Sequence, residues 1–276
     1  MFEIKGWPAG SSLAGIALGL MIPEILLSIQ DLADTNIWKS SQRKLERGGI
    51  LKKDDIVRIS FAYLYRIKVG DKYLLVQNGR NTGKYQPVGG VYQVHGQEKI
   101  ELKNRFHVMD DDKIPLDESS RGDYRLQMRD GYLRKFIRRF DNKADRERLN
   151  DASREFKEEL IETGILNWTD IKYRVCGRHM TELKFGEHFQ IYELLLADII
   201  ELEPTKKQEQ DLQDLMKRKD HRYEFATADE IRSFGVHPGT DDLRETIGDH
   251  TVKILQETES QLMKLPESGK EYSVKL

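Results

Sequence analysis

The stretch from Ile56 to Gln77 reads IVRISFAYLYRIKVGDKYLLVQ, and it constrains the fold more than any other part of the chain. β-branched and aromatic residues crowd both halves, and Gly70-Asp71 supplies a tight turn between them. Two strands are expected there. A third apolar stretch, PVGGVYQV from Pro87 to Val94, is a strand interrupted by paired glycines. IKYRVCGRHM and HFQIYELLLADII read as further strands around a turn at LKFGE, and YEFATADEIRSF as a short strand leading into a small helix. Helical spacing marks GYLRKFIRRF (131–140), whose run from Arg134 to Arg139 gives it a basic, solvated face, and a segment near 151–164. EPTKKQEQDLQDLMKRKD is a polar helix or loop, and DDLRETIGDHTVKILQETESQLMKL a closing helix followed by a frayed tail. Strands interspersed with helices in this manner place the chain in the α+β class.

The helix near 151–164 carries an unusual load. In DASREFKEELIETGIL, Glu155, Glu158, Glu159 and Glu162 share one helical face, because residues three and four apart lie one above the other. Like charges at that spacing cost an isolated helix a few tenths of a kcal/mol per pair. Either the face is merely solvated, or the carboxylates hold something. Mg²⁺ is a hard cation that takes oxygen ligands from carboxylates, water and substrate phosphates, and it would convert the repulsion into binding. The helix is expected to start at Asn150 or Asp151, either of which can cap it, and to stop at Gly164.

The flanking residues give this segment a wider meaning. Arg154, Glu155, Phe156, Glu158 and Glu159, with Gly164 and Ile165 beyond, resemble the box of the Nudix hydrolase family. QPVGGVY resembles that family's glycine pair, and FATADEI its late aromatic-containing stretch, in the family's order over roughly residues 56–255. The run SFAYLYRIKVGDKYLLVQNGR with YQPVGGVY and REFKEELIETG is similar to a bacterial subgroup, the SMODS-associated Nudix proteins. Three departures stand out, the first being the four residues between Glu159 and Gly164 where the family has one. A long insertion, about 96–145 and including the charged excursion DDDKIPLDESSRGD, separates the glycine pair from the helix. Arg146 holds the place of the box's upstream glutamate, with Glu147 one position on. A second register anchored on Gly164 keeps Glu158 as a ligand and brings in Glu162.

The resemblance implies an α/β/α sandwich that hydrolyses a nucleoside diphosphate linked to another moiety. It implies Mg²⁺ or Mn²⁺ held by Glu155, Glu158 and Glu159, with Arg154 bracing the glutamates. Gly89 and Gly90 would let backbone approach the phosphates. A general base is expected from a loop beyond the box, Glu187 first and Glu182 behind it. Tyr65, Tyr85 and Phe189 are candidates to stack a base. The setting implied is an antiviral defence system built on nucleotide second messengers. The alternatives are a catalytically weak nucleotide sensor and a membrane-associated effector.

The bulk numbers narrow the partners. A formal net charge of −2 argues against a nucleic-acid binder driven by bulk positive charge. The single Cys176 excludes an intramolecular disulfide, which fits a reducing cytoplasm. Residues 1–50 form an apolar segment and a basic linker. Residues 7–29 carry one charge, Glu24, next to Pro23, and are long enough to span a bilayer. The basic residues that follow would leave the rest on the cytoplasmic side of the inner membrane. A buried apolar hairpin broken at Pro23 is the other reading. The Nudix-like domain is expected over 51–265 and the tail over 266–276.

Overall fold

The computed structural model describes residues 37–79, 83–113, 122–142, 144–179, 181–236 and 244–276. The apolar segment 7–29 lies outside them, as does part of the DDDKIPLDESSRGD excursion. Among the described residues, no helix is long and apolar enough to cross a membrane.

The chain begins with α1 (Ile37–Arg47), then β1 (Ile56–Arg66), β2 (Lys68–Val69), β3 (Lys72–Gln77), β4 (Tyr85–Gln86) and β5 (Gly89–Val91). The insertion supplies α2 (Glu98–Phe106), β6 (Met109–Asp110), β7 (Arg125–Arg129) and α3 (Leu133–Asn142). The glutamate helix α4 (Arg154–Phe156) runs directly into a π-helical turn, Lys157–Ile161. Then come β8 (Asp170–His179), β9 (Lys184–Gly186), β10 (Ile191–Leu202), α5 (Lys206–Met216), β11 (Tyr223–Thr227), α6 (Ala228–Arg232) and β12 (Glu271–Lys275). The architecture is α+β, as expected. One sheet runs β12-β8-β10-β1-β7-β6, with β5 also on β1 and β9 also on β10; a smaller one runs β11-β3-β2, with β4 on β3.

β1 is the central strand, parallel to β10 over its whole length. Its two faces do different things, because side chains alternate across a strand. Phe61 stacks on Phe140 of α3 at 3.7 Å, and Tyr65 meets Phe156 of α4 edge-on. Arg58, Ser60, Ala62 and Leu64, from the other face, line a cavity. Burying a phenylalanine contributes about 1.5–3 kcal/mol, so the first face anchors the helices. The second leaves room for a ligand because Ser60, Ala62 and Ala197 are small.

Several expectations change. The hairpin around Gly70-Asp71 joins β2 to β3, not β1 to β3: the chain leaves the large sheet after Arg66, and the Leu74 N–H donates back to the Ile67 carbonyl. LKFGE is not a simple turn; it holds β9, whose Lys184 registers with Glu193 of β10. The insertion belongs to the core, since β7 pairs with β1 and α3 buries Leu133, Phe136, Ile137 and Phe140. The basic linker forms α1, which docks by burying Trp38 and by a Gln42–Asp130 hydrogen bond. The closing helix is two 3₁₀ segments, Asp249–Ile254 and Gln256–Gln261, broken at an extended Leu255. Its Ile254 and Leu255 carbonyls accept from the buried Arg66 guanidinium, which competes with helical bonding. The tail does not fray: β12 pairs with β8, and Tyr272 packs on Tyr173.

Candidate active site

α4 starts later than its capping residues suggested. Leu149–Asp151 forms a separate 3₁₀ turn, and the Asp151 side chain accepts from the Ser153 hydroxyl instead of capping the helix. Phe156 and Leu160 are fully buried and fix the helix against the core. The π turn, in which the Glu162 N–H reaches back to the Lys157 carbonyl, takes up part of the extra length between Glu159 and Gly164. Gly164 then ends the segment at φ +71°, a conformation open to glycine.

The paired glycines stand directly against the glutamates. Gly90 registers with Tyr63 of β1 and Gly89 with Leu64. A Cβ on Gly90 would lie 1.9 Å from Glu155 Oε1, so the carboxylate occupies the space of the missing side chain. The Gly89 N–H donates to Glu159 Oε2 at 2.9 Å. A Cβ on Gly89 would lie 2.3 Å from the Tyr63 carbonyl oxygen, and its φ is +142°. Backbone approach therefore requires glycine at 89, while at 90 the Glu155 carboxylate takes the space a Cβ would fill; both residues lie on β5.

Arg154 ties the site together. One terminal nitrogen donates to the Val91 carbonyl at 2.9 Å and to Glu147 at 3.2 Å. The other donates to Glu155 at 2.6 Å and lies 3.6 Å from Glu158. Glu147 is buried and also accepts from the Tyr63 hydroxyl at 2.8 Å and from the Gln93 N–H. It fills the bracing place at which the sequence shows Arg146. The Arg146 guanidinium turns inward, 3.7 Å from the centre of the Phe140 ring and 4.7 Å from that of Tyr92. Glu147 belongs to this bonded cluster although its residue type and spacing did not mark it in the sequence; the one-position offset was its only signal.

The electrostatics follow from crowding. Burial first, then the charges of Glu155 and Glu158, pushes Glu159 up to about 8, against the opposing Gly89 N–H bond. Burial also raises Glu155, although Arg154 counters it. Glu155 and Glu158 share Arg154, whereas Glu159 pairs with no basic group among the described residues. An oxygen-only donor set fits a hard divalent cation. Cys176, Glu201 and Glu259 also place ligand atoms within 4.8 Å of one another. That cluster already has cations: Arg66 lies 2.7 Å from Glu259, and Arg174 pairs with both glutamates.

Glu155, Glu158 and Glu159 line a cavity of about 910 Å³ together with Gly89, Gly90 and Arg154. Glu182 lines it too, whereas Glu187 lies exposed on the turn before Phe189 and outside the lining. Glu162 is exposed and does not join. Of the aromatic candidates, Phe189 lines the cavity, with the Arg58 guanidinium 4.6 Å from its ring centre. Tyr65 is a core residue bonded to the Ala152 carbonyl, and the Tyr85 hydroxyl bonds the His221 carbonyl. Of the basic run, Arg139 pairs with Glu98 and Arg134 bonds Gln42.

No curated protein and no solved structure matches this chain. Residues 56–255 match the family described as the SMODS-associated NUDIX domain, a span that includes the strands, the glycine pair, the insertion and the glutamate helix. The chain therefore belongs to the SMODS-associated NUDIX domain family and carries a Nudix-type hydrolase fold.

Proposed function

We propose that this domain hydrolyses a nucleoside diphosphate linked to another moiety, using Mg²⁺ or Mn²⁺ held by Glu155, Glu158 and Glu159. The observation that carries the reading is the seating of Glu155 and Glu159 against Gly90 and Gly89 at the wall of a ligand-sized cavity. Bound there, the cation would neutralise the pyrophosphate and lower the pKa of an attacking water. Gly89 and Gly90 let the strand backbone come close to the metal-holding carboxylates. Arg154 holds Glu155 and Glu158 in place, and Glu147 with Tyr63 holds Arg154. Phe189, backed by Arg58, offers a face on which a base can stack. Glu182, which lines the cavity, suits the role of general base better than Glu187. The biological setting we infer is a nucleotide second-messenger system of bacterial antiviral defence, in the cytoplasm or at its membrane.

The test is incubation of the purified protein with ADP-ribose, NAD⁺, dinucleoside polyphosphates and cyclic oligonucleotides, with and without Mg²⁺. Turnover that requires the metal and is lost in Glu158→Gln supports the hydrolase. A second reading, a nucleotide sensor, draws on one contact: the Arg154 guanidinium lies between Glu155 and Glu158, where it competes with a cation. Saturable nucleotide binding without product in any of these incubations would favour the sensor.

A further inference from the structure

The cavity has two electrical sides. Its floor is formed by alternate residues of β1 and β10, among them Ser60, Ala62 and Ala197. The carboxylates stand on the β5 side. On the other side, where β9 pairs with β10 and the 3₁₀ segment Asp249–Ile254 passes, the lining carries Lys184 and Lys253. The arginines of the lining are matched by acids. Arg58 pairs with Asp111 at 2.7 Å and Glu193 at 3.0 Å, Arg125 with Asp123 at 3.1 Å, and Arg154 with Glu155 at 2.6 Å. Among the described residues, neither Lys184 nor Lys253 has a carboxylate within 4 Å.

On this side Glu182 also lines the cavity but pairs with neither lysine, and the other two acids are engaged elsewhere. Glu193, which registers with Lys184 across the strands, accepts from Arg58. Asp249, four residues before Lys253, is held low by a hydrogen bond from His250. Two ammonium groups on one wall without paired anions repel each other, and Lys253 is also desolvated, a cost that a bound anion offsets. The state of Lys253 agrees: burial, with the like charge of Lys184 in support and Asp249 opposing, lowers it to about 8.

We propose that Lys184 and Lys253 form an anion subsite that takes a phosphate group of the ligand on the wall opposite the carboxylates. The proposal rests on the nucleotide reading above and narrows it. Ligands with a phosphate beyond those held at the glutamate helix, such as a nucleoside triphosphate, bind in preference to ligands ending in a neutral sugar.

Calorimetric titration of the full chain with inorganic pyrophosphate in EDTA tests the subsite apart from hydrolysis. Without metal no cation bridges the carboxylates to the probe, and comparison with the lysine variant shows how much of the binding the lysines carry. Saturable binding is expected, weakened tenfold or more in the Lys184→Met/Lys253→Met variant and undiminished in Glu159→Gln. Lys253→Met should also melt at a higher temperature, which separates lost binding from lost folding. Absence of pyrophosphate binding to the unaltered protein, or equal binding by the double variant, overturns the subsite. In a second titration, Lys253→Met should weaken ATP binding and leave ADP-ribose binding unchanged; equal effects on both overturn the narrowing. If pyrophosphate binds through the lysines while no nucleotide is turned over, the hydrolase reading fails and the subsite stands.

Discussion

Arg154 and Glu147 form a partly buried ion pair of 3.2 Å that links the glutamate helix to the segment preceding it, which Tyr63 in turn ties to β1. The pair is more than a surface contact, because Glu147 also receives the Tyr63 hydroxyl and the Gln93 N–H. Breaking a buried pair by removing one partner typically costs about 3–5 kcal/mol. Glu147→Ala should approach that loss in urea denaturation. Glu147→Gln keeps hydrogen-bonding capacity and should cost about 1–2 kcal/mol. If Arg154 positions the metal-binding carboxylates, Glu147→Gln should also lower kcat several-fold. A variant with full turnover would confine the pair to a structural role.

The two glycines separate strain from function. Gly89 combines a φ of +142° with a Cβ position 2.3 Å from backbone oxygen, so Gly89→Ala cannot be accommodated by moving a side chain. It should unfold at markedly lower denaturant, by about 2 kcal/mol or more. At Gly90 the obstacle is the Glu155 carboxylate, the far end of a flexible side chain. Gly90→Ala should therefore fold with a loss below about 1 kcal/mol while displacing Glu155 and reducing metal-dependent turnover at least tenfold. Comparison of melting temperature with activity for the pair checks both halves.

Much of this was legible in the chain, and the failures have a physical pattern. The strands of the large sheet show in the run from Ile56 to Arg66 because a central strand buried on both faces demands a nearly unbroken run of β-branched and aromatic residues. The glutamates and glycines show because their chemistry fixes residue type and spacing. Glu147 did not, since an inserted loop lets a buried carboxylate shift by one position while its side chain reaches the same partner. The segment 249–261 reads as a helix locally but bends to satisfy Arg66, a partner 188 positions away. β12 was hidden because EYSVK gains its order only from pairing with β8.

Divalent metal should stabilise the folded protein through the three glutamates. A ligand at 100 times its Kd adds about 2.7 kcal/mol to a one-site protein. Thermal melts with Mg²⁺ or Mn²⁺ should rise by several degrees over melts in EDTA. Glu155→Gln and Glu159→Gln should abolish most of the rise, whereas Glu201→Gln, in the arginine-paired cluster, should leave it intact. A metal-dependent shift that survived in Glu159→Gln and vanished in Glu201→Gln would move the metal site to the other cluster.

Asp130 sets a pH dependence distant from the site. It is buried at the end of β7, accepts from Gln42 of α1 at 2.5 Å, and has a second oxygen with no hydrogen-bond partner. Burial, assisted by nearby Glu46, pushes it up to about 6 from an ordinary 3.8. Between those two values the folded state holds a proton that the unfolded chain has released, so stability falls as pH rises through the window and is flat above it. The full penalty is present at neutral pH, on the order of 1–3 kcal/mol. Asp130→Asn keeps an acceptor for Gln42 and removes the charge. Urea denaturation should show the variant more stable than the unaltered chain at pH 7.5 and no more stable at pH 3.5. The same gain at both pH values would mean that packing, not the buried charge, decides the difference.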